Sequence, residues 1–157
     1  MIQRSMIKGM ALFQNKVLIS VAVAWLVAQF SKPFLQYLRD REWNWSWFFS
    51  AGGMPSTHSA IIVAATTALG MLQGVASPEF ALGVAVSMVI LYDAAGVRRQ
   101  AGEHARVINA IIEDLSHGHP LKEENLKELL GHTPGEVAIG VLVGVVVAFC
   151  VITFWGR

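Results

Sequence analysis

Two histidines stand where an ionisable ring needs a reason. His58 lies in GGMPSTHSA, between the aromatic run WNWSWFF and the apolar run AIIVAATTALGML, and His132 lies in LLGHTPGEV, just before a second apolar run. Glu136 follows His132 by one helical turn. Such a set suits a two-step group transfer: one ring is the nucleophile, the other protonates the leaving group, and the carboxylate holds the nucleophilic ring in its productive tautomer. The group that fits the surroundings is a phosphate. Gly52 and Gly53 allow close backbone approach, and Ser56 and Thr57 open a helix whose first N–H groups and positive dipole end attract an anion. Lys32, Arg39 and one of Arg98 or Arg99 supply cations, the guanidinium groups matching phosphate by bidentate geometry. This chemistry calls for no metal and no cofactor.

The elements that must bring these residues together are written in the apolar pattern. The chain has 157 residues, 54% of them hydrophobic, and a mean hydropathy of +0.51, a balance that suits a bilayer better than water. A net charge of +1 shows neither a basic nucleic-acid footprint nor an acidic tail, so nucleic acid is not expected as a partner. The one cysteine, Cys150, excludes an internal disulfide. Four segments read as membrane spans: Lys16 to Leu38, Ser56 to Leu72, Ser77 to about Ala95, and Thr133 to about Trp155. The first follows Arg4, Lys8 and Lys16 like a signal peptide, but its only small-x-small pattern lies inside the apolar stretch, so it is read as an uncleaved helix. SPEF and TPGE each place a hydroxyl N-cap before a first-turn proline.

Between the third and fourth spans, Val107, Ile108, Ile111, Ile112 and Leu115 share one helical face, the pattern of a helix lying at the membrane surface. SHGHP ends it, and LKEENLKELLG reads as a second short helix. The expected fold is therefore all-α: a membrane-embedded bundle of about four transmembrane helices plus an interfacial amphipathic helix, one domain over residues 1–157. Antiparallel spans put the end of the first, the start of the second, the end of the third and the start of the fourth on one membrane face. Lys32, Arg39, Ser56, His58, Asp93, Arg98, Arg99, His132 and Glu136 then gather there, and charge at a membrane boundary is costly enough to mark a functional site.

These residues resemble the type 2 phosphatidic acid phosphatases, whose superfamily includes bacterial acid phosphatases and vanadium haloperoxidases. Lys32 and Arg39 match the spacing of the family's first motif, PSTH from Pro55 to His58 its second, and His132 with Glu136 the end of its third. GGMPSTHSA, YDAAGVRRQAGEHA and LKELLGHTPGEV look like a divergent bacterial and plant branch. The chain departs from the pattern at Asp40, Thr57 and Glu136, where the family has Pro, Gly and Asp, and at Asn125 and Leu126, where it has Ser-Arg. The resemblance implies a metal-independent phosphatase acting on a lipid phosphomonoester or diphosphate through a phosphohistidine, with His132 as nucleophile and His58 as acid. Arg98 or Arg99 would replace the arginine absent at Leu126. Because the chain has fewer spans than the membrane members usually carry, a homodimer is the arrangement that would complete the site or its lipid groove.

Plainer roles stand beside these. TPGE is a capping box in its own right, Lys32, Arg39 and Arg41 are placed to anchor headgroups, and Trp43, Trp45 and Trp47 form an interfacial belt. Asp93 would pair with Arg98 or Arg99. His104, His117 and His119 lack the acidic or thiolate partners of a metal site, while Asp93, Glu103 and Glu113 are a minor option for Mg²⁺. A reading from another class is a non-catalytic membrane protein that binds or transports anionic headgroups or phosphate, to which His132 and Glu136 would be dispensable. The expected location is a bacterial plasma membrane, and counting Lys and Arg puts the site on the cytoplasmic side.

Overall fold

The structure, a computed structural model, describes residues 14–50, 52–116 and 132–155, with the backbone alone at 97–101, 103 and 113–116. The expected short helix in LKEENLKELLG, His117, His119, Asn125 and Leu126 lie outside the described residues, as do Arg4, Lys8, Lys122, Lys127 and Arg157. All regular elements among the described residues are helical.

Helix α1 spans Lys16–Asp40, capped by Asn15, whose side chain accepts from the backbone N–H groups of Val17 and Leu18 at 3.0 and 3.2 Å. It runs through Pro33 and closes on Arg41, which takes the left-handed conformation (φ 59°). A short 3₁₀ turn, Trp45–Phe49, follows, started by the Asn44 side chain. Helix α2 spans Thr57–Gln73 with Ser56 as N-cap, and α3 spans Pro78–Tyr92 with Ser77 as N-cap and its proline in the first turn. A π turn, Asp93–Val97, carries the chain on into α4, Arg98–Ser116. Helix α5 spans Pro134–Phe154, and Thr133 and Glu136 form the reciprocal capping box that TPGE encodes.

Among the described residues, three segments are long and apolar enough to cross a membrane: Lys16–Asp40, Pro78–Gly96 and Pro134–Phe154. Helix α2, at 17 residues, is about 25 Å long by helical rise and is the shortest of the four expected spans except for α3 without its π turn. It sits at the centre, packed against α1, α3 and α5. Helix α4 has the apolar stripe expected of an interfacial helix, with Val107, Ile108 and Ile111 exposed. Its packing within the described residues is to the π turn that precedes it.

Small side chains let the central helices approach. Ser20, Ala24 and Ala28 of α1 and Ser56, Ala60, Ala64 and Ala68 of α2 recur every four residues and are fully buried. Facing them, Gly140 and Gly144 of α5 lie so close that an added Cβ would sit 2.5 Å from the Ser56 carbonyl oxygen and 2.6 Å from that of Ala60. In a bilayer, where lipid is as apolar as leucine, such close packing and interhelical hydrogen bonds hold helices together. Helix α3 lies outside this seam. It is tied to α2 by Thr66 Oγ1 and Ser87 Oγ, 2.9 Å apart, and by Gly83 seated against Thr66.

Candidate functional site

The site lies at one end of the bundle, where the start of α5 is bonded to the start of α2. The backbone N–H of Ser56 donates to the Glu136 carbonyl at 3.1 Å, which fixes the first turns of the two helices side by side. This bond spans 80 residues of sequence, and the glycine seam just below it makes it reachable. Beside it a cavity of about 340 Å³ is lined by His58, Val89, Ile90, Asp93, Ala94 and His132. The two histidines singled out by the sequence thus share one space.

His132 is 5% exposed. Its Nδ1 lies 3.3 Å from Glu136 Oε2, and the same carboxylate oxygen accepts the backbone N–H of Thr133 at 2.9 Å. Thr133 Oγ1 in turn accepts the Glu136 N–H at 3.3 Å. Glu136 therefore does both jobs the sequence allowed, capping α5 and holding the imidazole, because His132 precedes the N-cap by one residue. A carboxylate on Nδ1 favours the tautomer with its proton there and the reactive lone pair on Nε2. His58, in the first turn of α2, is half-buried.

Ser56 and Thr57 are differently occupied. Ser56 Oγ accepts from the backbone N–H and hydroxyl of Ser59 at 3.4 and 2.9 Å. Thr57 Oγ1 donates to Gln29 Oε1 at 2.9 Å. Both residues are buried and absent from the cavity lining, so what this helix start can offer an anion is its backbone and dipole. Gly53 takes a positive φ of 84°, which glycine adopts without strain, and its missing Cβ makes room for the Trp47 ring at 3.3 Å.

Lys32 is 2% exposed, and its Nζ donates to the Ser50 carbonyl at 2.7 Å. Gln29, one turn earlier, donates from Nε2 to the carbonyls of Phe48 and Ser50. The two side chains hold the 3₁₀ turn against α1, and Lys32 lies within electrostatic reach of Glu136. Sequence reading passed over Gln29; its signal was a long amide on the same face as Lys32 in an otherwise apolar helix. Arg39 is placed elsewhere: its side chain is 79% exposed and lies 3.8 Å from Asp40. Arg98 and Arg99 begin α4 directly after the π turn, on the same end of the bundle.

Asp93, expected to serve as an ion-pair partner, also reaches the cavity. Val89, Ile90, Asp93 and Ala94 follow helical spacing, so one face of α3 carries into the π turn, a distortion frequent at functional sites. Of Asp93, Glu103 and Glu113, weighed together for Mg²⁺, Asp93 opens the π turn and Glu113 stands twenty residues on, in the last turns of α4. Trp43 and Trp45, expected in an interfacial belt, are 50% and 64% exposed and contact each other, and Trp43 also contacts Tyr37.

A family model described as "Divergent PAP2 family" matches residues 13–147. The chain is also 36% identical, over 157 residues, to the uncharacterized membrane protein YuiD of Bacillus subtilis (strain 168), a match covering 93% of this chain and 99% of that protein. No solved structure matches.

Proposed function

Since this chain belongs to the divergent PAP2 family, we propose that it is a membrane phosphatase that hydrolyses a lipid phosphomonoester or diphosphate through a phosphohistidine. The observation that carries this reading is the shared cavity: His58 and His132 face one space, with Glu136 on the second ring. The membrane setting supplied by the apolar helices favours a lipid substrate.

In the proposed course, the phosphate docks at the first turn of α2, whose dipole favours it, with Arg98 or Arg99 reaching its oxygens. Nε2 of His132 attacks phosphorus, and the bond from phosphorus to the ester or bridging oxygen breaks. His58 gives that oxygen its proton, so the leaving group departs as an alcohol or a lipid monophosphate. Glu136 stabilises the positive charge that develops on the His132 ring. Neutral His58 then takes a proton from water, which attacks the phosphohistidine and releases inorganic phosphate. Each step is carried by side chains of this chain.

The test is phosphate release by detergent-purified protein from phosphatidate, phosphatidylglycerophosphate and a polyprenyl diphosphate, with EDTA present, wild type beside His132→Ala. The expected result is release that persists in EDTA and falls to background in the variant. Equal release from both proteins, or none from any lipid, would overturn this mechanism for these substrates and favour a non-catalytic headgroup binder.

A further inference from the structure

The open surface of α2 does not end at His58. Its half-buried positions His58, Ile61, Ile62, Ala65 and Leu69 follow the spacing of one helical stripe. On the far side of the same helix Ala60, Ala64 and Ala68 are fully buried among the small residues of α1 and α5. The stripe therefore starts at the histidine cavity and continues as hydrocarbon alone. His58 and Ile61, three residues apart, are neighbours on the helix surface.

Ile61 belongs to a second space. A groove of about 410 Å³ is lined by Ile61 and by Leu18, Val21, Ala22, Trp25 and Leu26 of α1, all of them apolar. The five α1 residues follow helical spacing and form one wall. On the other flank of α2 stands α3, whose Val89 and Ile90 line the histidine cavity. Helices α1 and α3 each pack on α2, and among the described residues they make no extensive contact with each other. Together they enclose a trough with the stripe of α2 as its floor and His58 at its head.

The depth of the trough follows from the packing register. Thr57 Oγ1 donates to Gln29 Oε1 at 2.9 Å, and α1 and α2 run in opposite directions from that bond. Eleven residues away from it, Leu18 on α1 is level with Ala68 on α2, so the groove reaches the depth of Leu69. From His58 to Leu69 the stripe is about 16 Å long by helical rise, about half of the ~30 Å hydrocarbon core of a bilayer. That is one leaflet, the span of a lipid chain from headgroup to midplane. At the head the chemistry is the opposite: the first N–H groups of α2 and its dipole favour an anion, and Arg98 and Arg99 begin α4 at the same end. An anionic head joined to an apolar chain complements both parts. A zwitterionic bilayer lipid brings no net negative charge to the head, and a second copy of this chain brings no phosphate to the histidines.

We propose that the trough seats one hydrocarbon chain of the lipid whose phosphate enters the histidine cavity, so that this lipid reaches the site sideways from the bilayer, between α1 and α3. The assignment rests on the phosphatase reading in calling that lipid the substrate. It adds a selectivity to that reading, for long-chain over short-chain phosphates. Ala22, exposed and the smallest residue of the α1 wall, leaves the groove its width.

The first test needs no turnover, so its outcome is separate from that of the phosphatase reading. Wild-type protein in phosphatidylcholine nanodiscs is photolabelled by phosphatidate bearing a diazirine midway along one chain, and the labelled residues are read by mass spectrometry. Labels are expected on segments 18–26 and 61–69, displaced by excess unmodified phosphatidate and several-fold weaker in Ala22→Phe. Leu82→Phe, at a 66% exposed position of α3 outside both linings, should label as wild type does. Equal labelling of these segments by a diazirine phosphatidylcholine assigns the trough to bulk lipid, and protection of them from both probes assigns it to a second copy of this chain. Either result, or labelling confined to other segments, overturns the proposal. In the phosphate-release assay, Ala22→Phe should lower kcat/KM for dioleoyl phosphatidate about 10-fold or more relative to dihexanoyl phosphatidate; an equal loss on both would overturn the seating of the chain.

Discussion

Replacing Gly140 by alanine tests the link between helix packing and the site. The added Cβ would lie 2.5 Å from the Ser56 carbonyl oxygen and 2.9 Å from Ser59 Cβ. Neither is the far end of a flexible side chain, so α2 and α5 must separate. Restoring an ordinary contact of 3.4 Å requires a local opening of about 0.9 Å. Overpacking of this kind costs about 1–3 kcal/mol. Glycine-to-alanine replacement also gains roughly 1 kcal/mol of helix propensity, which would obscure the effect if Gly140 were changed alone. Gly135→Ala is the control, since its Cβ would meet only Thr133 Oγ1 at 3.9 Å within the same helix. The difference between the two variants therefore isolates the packing term. Gly140→Ala should unfold in detergent at a Tm roughly 2–12 °C below that of Gly135→Ala.

The same opening acts one turn away on the Ser56 to Glu136 hydrogen bond, now 3.1 Å long. Because that bond holds the His58 and His132 turns together, a displacement of this size should also lower turnover by about 10²-fold. Tm is read by the loss of helical circular dichroism, and turnover by phosphate release. Equal Tm and equal turnover in the two alanine variants would refute the argument that the glycine seam sets the geometry of the site.

Glu136→Gln and Thr133→Ala should separate the two roles of the capping box. Glutamine can still accept from the N-cap N–H but lacks the charge on His132, so turnover should fall by about 10²-fold with little change in Tm. Thr133→Ala should lose about 1 kcal/mol of stability and keep most of its turnover. Thr66→Ala removes the hydroxyl bonded to Ser87 and loosens α3 from α2, a cost of roughly 0.6–2 kcal/mol that thermal unfolding in detergent would read. Vanadate, which mimics the five-coordinate phosphoryl centre, should inhibit lipid phosphate release; unchanged turnover at millimolar vanadate would count against a covalent histidine route.

The helices themselves were legible because their signals are local. Ser77 with Pro78 and Thr133 with Pro134 mark helix starts through hydroxyl and ring chemistry that acts within one turn, and α3 and α5 begin there. Alternating faces in the 98–116 stretch likewise announce an amphipathic helix before any tertiary contact exists. His132 with Glu136 was readable for the same reason, being one turn of a single helix start. What the sequence determined by itself was thus the helices, their caps, and the gathering of ionisable residues at one end.

Only tertiary structure decided which of those residues meet. Helix rotation is set by the contact between Gly140, Gly144 and the small face of α2, a relation between segments far apart in the chain. That rotation turns His58 into the cavity with His132 and turns the hydroxyls of Ser56 and Thr57 into the packing, while Asp93 reaches the cavity from the end of α3, which is tied to α2 through Thr66 and Ser87. On α1, Arg39 stays exposed beside Asp40 while Lys32 is drawn onto the Ser50 carbonyl, although their seven-residue spacing looked like one motif. A periodic pattern tells which residues share a face of one helix; where that face points depends on close packing against its neighbours, and here two glycines without side chains set that approach.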